Sequence, residues 1–416
     1  MRRYLTPYID LKLEPDKDDY VLAEYLVDSS LPLAEAGTRI AEEESVGSWT
    51  DVSTMTSSVF DRLAAKVYKV DESRGSVFIA YPVELFEGGN LYQWISVVAG
   101  NLFGLGSLRN VRLVDLSIPG GLLRQFGGPK LGIEGIRERI GTQKDRRPHI
   151  GCIFKPKVGL TPAEMADLAY QVGKEGVDFL KDDETLTDQT FCPLEDRASF
   201  VSEALDRVYE ETQRRVMYAT NITSSPGDFM SRADIAIENG ASALMVDAMV
   251  CGIENIRVLA EDPSINVPVH VHRTMHAAFT RNPKHGISFT VISLLTRIAG
   301  GDQLHVGTAG IGKMESEEPE VKRSIDILTG HLSSFRAVFP VASGGIHPGL
   351  VPALVNTMGK DVVINAGAGI WGHPDGGAAG AKAMKEAVEA TMLGVPLRQY
   401  SEKHQTLKRA LDRWMS

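Results

Sequence analysis

Eight times after about residue 140, a short apolar run is followed by a segment of helical period. The runs are HIGCIFKP (149–156), VDFLKDD (177–183), RVMYATNIT (215–223), ALMVDAMV (243–250), VPVHVHRT (267–274), DQLHVGT (302–308), FPVASGG (339–345) and DVVINAGAG (361–369). They are rich in Val, Ile and Phe and mostly flanked by Gly, Asp or Pro, as strands buried on both faces of a parallel sheet are. Between them, TPAEMADLAYQVGKEG (161–176) carries Pro in its first turn and Gly near its end, the start and stop marks of a helix. HPGLVPALVNTMGK (347–360) and GGAAGAKAMKEAVEATMLG (376–394) behave alike. Eight strand–helix units in roughly 250 residues predict a (β/α)8 TIM barrel. A doubly wound sheet is the alternative; the regular repeat running into one helical tail favours the barrel.

The chain ahead of these repeats lacks their regularity. SVFIAYPVEL and NVRLVDLSIP read as strands, PLAEAGTRIAEEE and GNLYQWISVVAGNLFG as helices. Together they predict a smaller α+β, ferredoxin-like domain over 1–130, then the barrel over 131–395 and a helical tail over 396–416. RERIGTQKDRRPHI (137–150), charged and without apolar periodicity, reads as the join.

Composition narrows the class. The 416 residues are 43% hydrophobic and 24% charged, both globular values. A net charge of −10 argues against a nucleic-acid or anionic-membrane surface. Cys152, Cys192 and Cys251 lie far apart, so neither a disulfide framework nor a zinc site is expected. The first residues lack an apolar signal core, and no run approaches the ~18 apolar residues of a membrane span. A cytoplasmic protein is the expectation.

In a barrel, chemistry sits at the C-terminal ends of the strands. There this sequence gathers ionisable groups: Lys155 and Lys157; Lys181, Asp182, Asp183 and Glu184; His270, His272 and Arg273; His305, with Lys313 in the loop beyond. The last two strands end in SGG (343–345) and GAG (367–369). Glycine turns leading into helices expose N–H groups and positive helix ends, which suits phosphate. Lys155 and Lys157 more readily face the reacting carbons. The expected substrate is phosphorylated, at both ends if the two clusters act separately. A period of two puts Lys181 and Asp183 on one face of their strand and Asp182 on the other. Asp183 and Glu184 offer hard oxygens for Mg2+. The residues alone leave Lys181 with two readings: a counter-ion to Asp183, or a deprotonated amine that takes up CO2 as a carbamate and becomes an oxygen ligand.

At this point the chain resembles the large subunit of ribulose-1,5-bisphosphate carboxylase/oxygenase. GCIFKPKVGL, GVDFLKDDE, HVHRTMHAAFTRNPKHGIS, DQLHVGT with GKME, VASGGIHPGLVPAL and GAGIWGHPDG follow in family order, as do EEESVGSWTDV and AGNLFGLGSLRNVRLVDLSIP before them. MHAAFTRNPKHGIS and IHPGLVPAL with GHPDG look most like the archaeal, form III branch, which works without a small subunit.

The resemblance implies Mg2+-assisted enolisation of ribulose 1,5-bisphosphate, CO2 addition and cleavage to two 3-phosphoglycerates, with an oxygenase side reaction. It implies that Lys181 is carbamylated, joins Asp183 and Glu184 around the metal and serves as base for the C3 proton. Lys155 would protonate the later carbanion, with Lys157 in support, and His272 would relay protons. Arg273, His305 and Ser343 would hold one phosphate and nearby hydroxyls. Gly344, Gly345, Gly367 and Ala368, with Ser48 and Trp49, would hold the other. Lys313 would steady the new carboxylate, positioned by Glu43, and Asn101 would touch the bound intermediate. Glu43, Ser48, Trp49 and Asn101 come from the second subunit in this family, so a homodimer with shared sites, able to assemble further, is the expected unit.

Some positions depart from the family pattern. Ser48 stands where threonine is usual, and Ala368 replaces the second glycine of a phosphate-binding pair. The Lys313 loop is one residue longer than the plant type, and Ser316 takes a hinge position usually held by glycine. Thr185, Asp188 and Thr190 also differ. The rival reading is a family member that enolises, isomerises or transcarboxylates another phosphorylated sugar. Lys313 and Glu43 serve the carboxylation step, and their presence favours the carboxylase.

Overall fold

The computed structural model describes residues 8–47, 52–313 and 318–415. In chain order its strands are β1 (Tyr20–Ser29), β2 (Lys66–Asp71), β3 (Ser76–Pro82), β4 (Leu108–Ser117), β5 (His149–Ile153), β6 (Phe179–Lys181), β7 (Met217–Asn221), β8 (Ala243–Asp247), β9 (Val269–His272), β10 (Gly286–Ile287), β11 (Gln303–His305), β12 (Phe339–Ser343) and β13 (Val363–Ala366). They divide between two compact units.

The first unit runs through Gly127 and takes in Met275–Ala299. Its mixed sheet has the order β10-β4-β1-β3-β2, with β1 antiparallel to both neighbours and β10 parallel to β4. β1 alternates strictly: Val21, Ala23, Tyr25 and Val27 are buried and the residues between them are not. That period-2 signal is in the sequence, yet the readings above name only β3 and β4 in this region. β10 has two residues and no periodicity to read. Helix Leu33–Glu43 lies close over the sheet because Gly37 has no side chain; a Cβ there would stand 2.5 Å from Val77 Cγ1. Met275–Ala299 is tied in by Arg112, whose guanidinium donates to the carbonyls of Thr280 (2.8 Å) and Asn282 (2.6 Å).

The second unit is a closed parallel barrel, β5-β6-β7-β8-β9-β11-β12-β13, with β13 pairing back to β5. All eight predicted strands are present, each lying within its apolar run. Helix Pro162–Glu175 begins with a capping box: Glu164 N–H donates to Thr161 Oγ1, and Thr161 N–H donates to the Glu164 carboxylate. Such a cap contributes about 1 kcal/mol. Helices Leu397–Ser401 and Gln405–Trp414 close the chain; Glu386 receives Thr406 Oγ1 at 2.5 Å and Leu407 N–H at 2.9 Å.

One segment departs from its reading. Residues 137–150 are not a bare join: helix Gly132–Ile140 plugs the barrel where the strands begin. Its Ile133 and Ile136 pack with Phe179, Met217, Ala243, Phe339 and Val363. Arg137 is fully buried, paired with Asp361 at 2.7 Å and donating to the carbonyls of Arg147 and Lys360. A buried, paired arginine reads in sequence like a solvated one. Among the described residues, no helix is long and apolar enough to cross a membrane.

Candidate active site

The barrel brings most of the predicted residues to the C-terminal ends of its strands. β6 ends at Lys181, fully buried, with its Nζ donating to the Asp182 carbonyl at 2.6 Å. Burial lowers the Lys181 pKa, while Glu184, Asp183, Asp247 and Asp182 pull the other way. A buried amine poised towards its neutral form is what carbamate formation requires.

The three acids separate as their register predicts. Asp182 turns away from Asp183 and is a structural anion, receiving Arg197 Nε at 3.0 Å, Asn221 N–H at 2.9 Å and the Tyr218 hydroxyl at 2.6 Å. Asp183 receives Lys155 Nζ at 3.0 Å and lies 3.5 Å from Lys157 Nζ. Glu184 receives Lys157 Nζ at 2.7 Å. Burial pushes the Glu184 pKa up, but Lys157 and His272 outweigh it and hold it down to about 2. Asn221 Nδ2 donates to the carbonyls of Asp183 and Glu184, each at 3.3 Å, and so braces this turn.

Among the described residues, no three His, Cys, Asp or Glu side chains form a metal cage. The donor chemistry still fits Mg2+, which takes one or two protein carboxylates and leaves further positions to other oxygens. Asp183 and Glu184 are adjacent and already face two ammonium groups.

The histidines form a line. His270 Nδ1 lies 2.8 Å from Gln303 Oε1, His270 Nε2 lies 2.8 Å from His305 Nε2, and His305 Nδ1 lies 2.8 Å from Ser343 Oγ. Burial drives the pKa values of His270 and His305 well below normal, so both rings are neutral. Each then has one donor and one acceptor nitrogen, and the proton order along the line is set by its ends. His272 packs its ring 4.5 Å from that of His305 but is not part of this hydrogen-bonded line. Thr274 N–H donates to its Nδ1 at 3.2 Å, which leaves the proton on Nε2, 3.8 Å from Glu184 Oε2. Asp247 Oδ1 is 3.4 Å from Nδ1, placed to meet an imidazolium.

Beyond β12, Gly344 and Gly345 take positive φ (113° and 76°), and Lys313 N–H donates to Gly344 O at 3.0 Å. A Cβ on Gly345 would meet Lys313 Cγ at 2.7 Å, so the Lys313 loop rests against this turn. Gly367 lies near Lys155: a Cβ there would lie 3.1 Å from its Cε. Ala368 starts helix Ala368–Trp371 and is not among the residues of positive φ, so its methyl group costs the backbone nothing. Arg273 follows β9, and burial lowers its pKa to about 10, against the pull of Glu320.

In the first unit, Asn101 Nδ2 donates to Glu43 Oε1 at 3.2 Å, so two predicted residues meet there. Ser48, Trp49 and Ser316 lie outside the described residues. Sequence reading did not assign roles to Gln303, Asn221 or Asp247. Asn221 and Asp247 end their strands, which was the available signal, whereas Gln303 begins β11 and carried none.

Carboxylates, cations and glycine turns on one rim of a closed parallel barrel define a barrel enzyme for an anionic substrate. Known families make the class specific. The catalytic domain of the ribulose bisphosphate carboxylase large chain matches residues 132–414, and the N-terminal domain of the same chain matches residues 7–122. The ribulose bisphosphate carboxylase of Pyrococcus furiosus is 42% identical, over 98% of this chain and 97% of that one. The enzyme of that name from Methanocaldococcus jannaschii is 39% identical, over 98% and 99%. Among solved structures, the octameric Rubisco of Pyrococcus horikoshii superposes with a TM-score of 0.94 at 40% identity, covering 99% of this chain and 97% of that one. The dimeric Rubisco of Hyperthermus butylicus superposes with a TM-score of 0.89 at 38% identity, covering 99% of each. The chain belongs to the ribulose bisphosphate carboxylase large-chain family.

Proposed function

We propose that this protein is a ribulose-1,5-bisphosphate carboxylase with an oxygenase side reaction, active as a homodimer or an assembly of dimers. The observation that carries this reading is the end of β6, where a fully buried lysine stands beside two carboxylates that Lys155 and Lys157, from the loop after β5, already face. Lys181, as its carbamate, Asp183 and Glu184 would hold Mg2+. The metal would supply Lewis-acid stabilisation of negative charge developing on the substrate oxygens.

The chain's own residues divide the remaining work. Arg273, His305 and Ser343 bind one phosphate and the hydroxyls near it, with Ser343 oriented by its contact to His305. Gly344, Gly345, Gly367 and Ala368 offer backbone N–H groups to the other phosphate, joined by Ser48 and Trp49 of a second subunit. His272 carries a proton on Nε2 and moves it at the substrate oxygens, with Asp247 beside Nδ1 to balance the charge. Lys155, with Lys157, delivers the proton that ends the sequence. Lys313 steadies the carboxylate formed from CO2, and its loop excludes water. Glu43 and Asn101 complete the site from the second subunit.

The test is incorporation of labelled bicarbonate into 3-phosphoglycerate, with ribulose 1,5-bisphosphate and Mg2+. Stoichiometric label in phosphoglycerate is expected. Proton exchange at a sugar carbon without any fixation, by folded protein, would overturn the reading.

A further inference from the structure

Glu44 directly follows helix Leu33–Glu43 and is 6% exposed. A buried carboxylate needs donors, and here the backbone supplies them. Gly100 N–H donates to Glu44 Oε2 at 3.1 Å and Leu102 N–H to Oε1 at 2.6 Å. The carboxylate therefore straddles Asn101 at the start of the 3-10 turn Asn101–Gly104. Gly100 makes this approach possible: a Cβ there would lie 2.9 Å from Glu44 Oε2 and would run into the Ser96 carbonyl. The preceding acid holds the same turn by its side chain, with Asn101 Nδ2 donating to Glu43 Oε1 at 3.2 Å. Two successive carboxylates thus grip one asparagine, the first through its side chain and the second through its backbone.

A neutral cap could hold a turn, so a buried anion at this position asks for a reason. The titratable groups facing Glu44 are Tyr25 from β1, Tyr81 from β3 and its neighbour Glu43, none of them cationic. The two tyrosines are fully buried and bonded to each other at 2.9 Å, and Tyr25 also donates to the Val98 carbonyl at 2.7 Å. The backbone amides of the 100–102 turn are the donors left for the carboxylate to use.

We propose that Glu44 is a positioning residue: its carboxylate fixes the Gly100–Leu102 turn so that Asn101 and Glu43 present their side chains to the substrate together. This rests on the function proposed above, in which both residues serve the bound sugar and the carboxylation step. An ionised carboxylate accepts both N–H groups, whereas the acid form sets an O–H against one of them. Burial raises the Glu44 pKa to about 7, against the backbone hydrogen bonds that lower it. The grip therefore loosens as the pH falls through neutrality.

The carboxylation assay on the wild type, Glu44→Gln, Asn101→Ala and the double variant tests this, with KM and kcat taken across neutral pH and Tm measured beside them. On the alkaline side, Glu44→Gln is expected to raise KM for ribulose bisphosphate about tenfold. It should also flatten the rise in KM that the wild type shows towards acid pH. On the Asn101→Ala background it should add little, because both changes act on one contact. Glu44→Asp keeps an anion with shorter reach and should show a smaller rise in KM; it decides the matter if Glu44→Gln does not fold. A wild-type KM and pH profile in the Glu44 variant that folds, or additive effects in the double variant, overturns the proposal. A wild type that fixes no CO2 overturns the functional reading and this inference with it. Fixation by the wild type with unaltered Glu44 variants overturns this inference alone.

Discussion

Asp182→Asn separates the structural acid from its two chemical neighbours. In the wild type the carboxylate receives three donors, from Arg197, Asn221 and Tyr218, and both members of the ion pair are fully buried. An amide at this position keeps one oxygen and turns N–H groups towards at least one donor. Arg197 then has only the neutral carbonyls of Cys192 and Thr187. Removing one partner of a buried pair costs about 3–5 kcal/mol. Unfolding entropy of ~2.1 cal/mol/K per residue, over a barrel unit of about 260 residues, gives about 2 °C per kcal/mol. The expected fall in Tm is therefore about 6–10 °C, measured by calorimetry at matched protein concentration. Asp182→Leu combined with Arg197→Met, which removes both charges, should recover at least half of the loss. Carboxylation by folded Asp182→Asn protein should also fall, because Lys181 Nζ is bonded to the Asp182 carbonyl. A shift below about 2 °C, the size expected of an exposed pair, would refute the argument.

Three further outcomes follow from particular contacts. Gly345→Ala places a methyl group at φ +76° and 2.7 Å from Lys313 Cγ, so KM for the bisphosphate should rise about tenfold and kcat should fall; wild-type steady-state constants would contradict the contact. Gln303→Leu leaves His270 Nδ1 buried without its partner, a loss of about 1–3 kcal/mol. Histidine 15N spectra should then show a changed tautomer balance at His305, and an unchanged spectrum would mean that Gln303 does not set the proton order. Asp178 bears on acid stability: burial favours its neutral form, but Arg147, bonded at 2.6 and 2.8 Å, holds its pKa below normal. A depressed carboxyl contributes stability that is present above its unfolded pKa of about 4 and is lost as pH falls through the folded value. Asp178→Asn should therefore lower Tm at neutral pH, with the gap to wild type closing below about pH 4; a gap independent of pH would count against the ion pair.

How far the sequence could be read depended on whether a signal was local. The barrel strands are short apolar runs with turn residues at both ends, and all eight were found. Their polar ends were found with them, since a strand's last residues sit on the catalytic rim of any such barrel. Arg137 shows the limit: no local pattern says that a cation in a charged stretch ends fully buried beside Asp361. Lys155 and Lys157 show it again. In the structure their ammonium groups rest on Asp183 and Glu184. Which cation meets which acid depends on the stagger between β5 and β6. That register pairs Ile153 with Lys181 and lets the residues beyond it cross over.

The H-x-H of β9 carries the same argument one step further. A period of two puts His270 and His272 on one face of the strand, and both do point inward. A single strand would give them one environment. The closed barrel separates them by depth, because β11 brings Gln303 opposite His270 while β8 brings Asp247 opposite His272. His270 therefore joins a line of neutral groups ending at Ser343, and His272 faces the carboxylates of Asp247 and Glu184. The second has carboxylates beside it, which suit proton transfer during turnover. The first has both ring nitrogens hydrogen-bonded, in a line that ends at the Ser343 hydroxyl. We therefore propose the relay role for His272 and a positioning role for His270, on the ground of which strand lies opposite each ring.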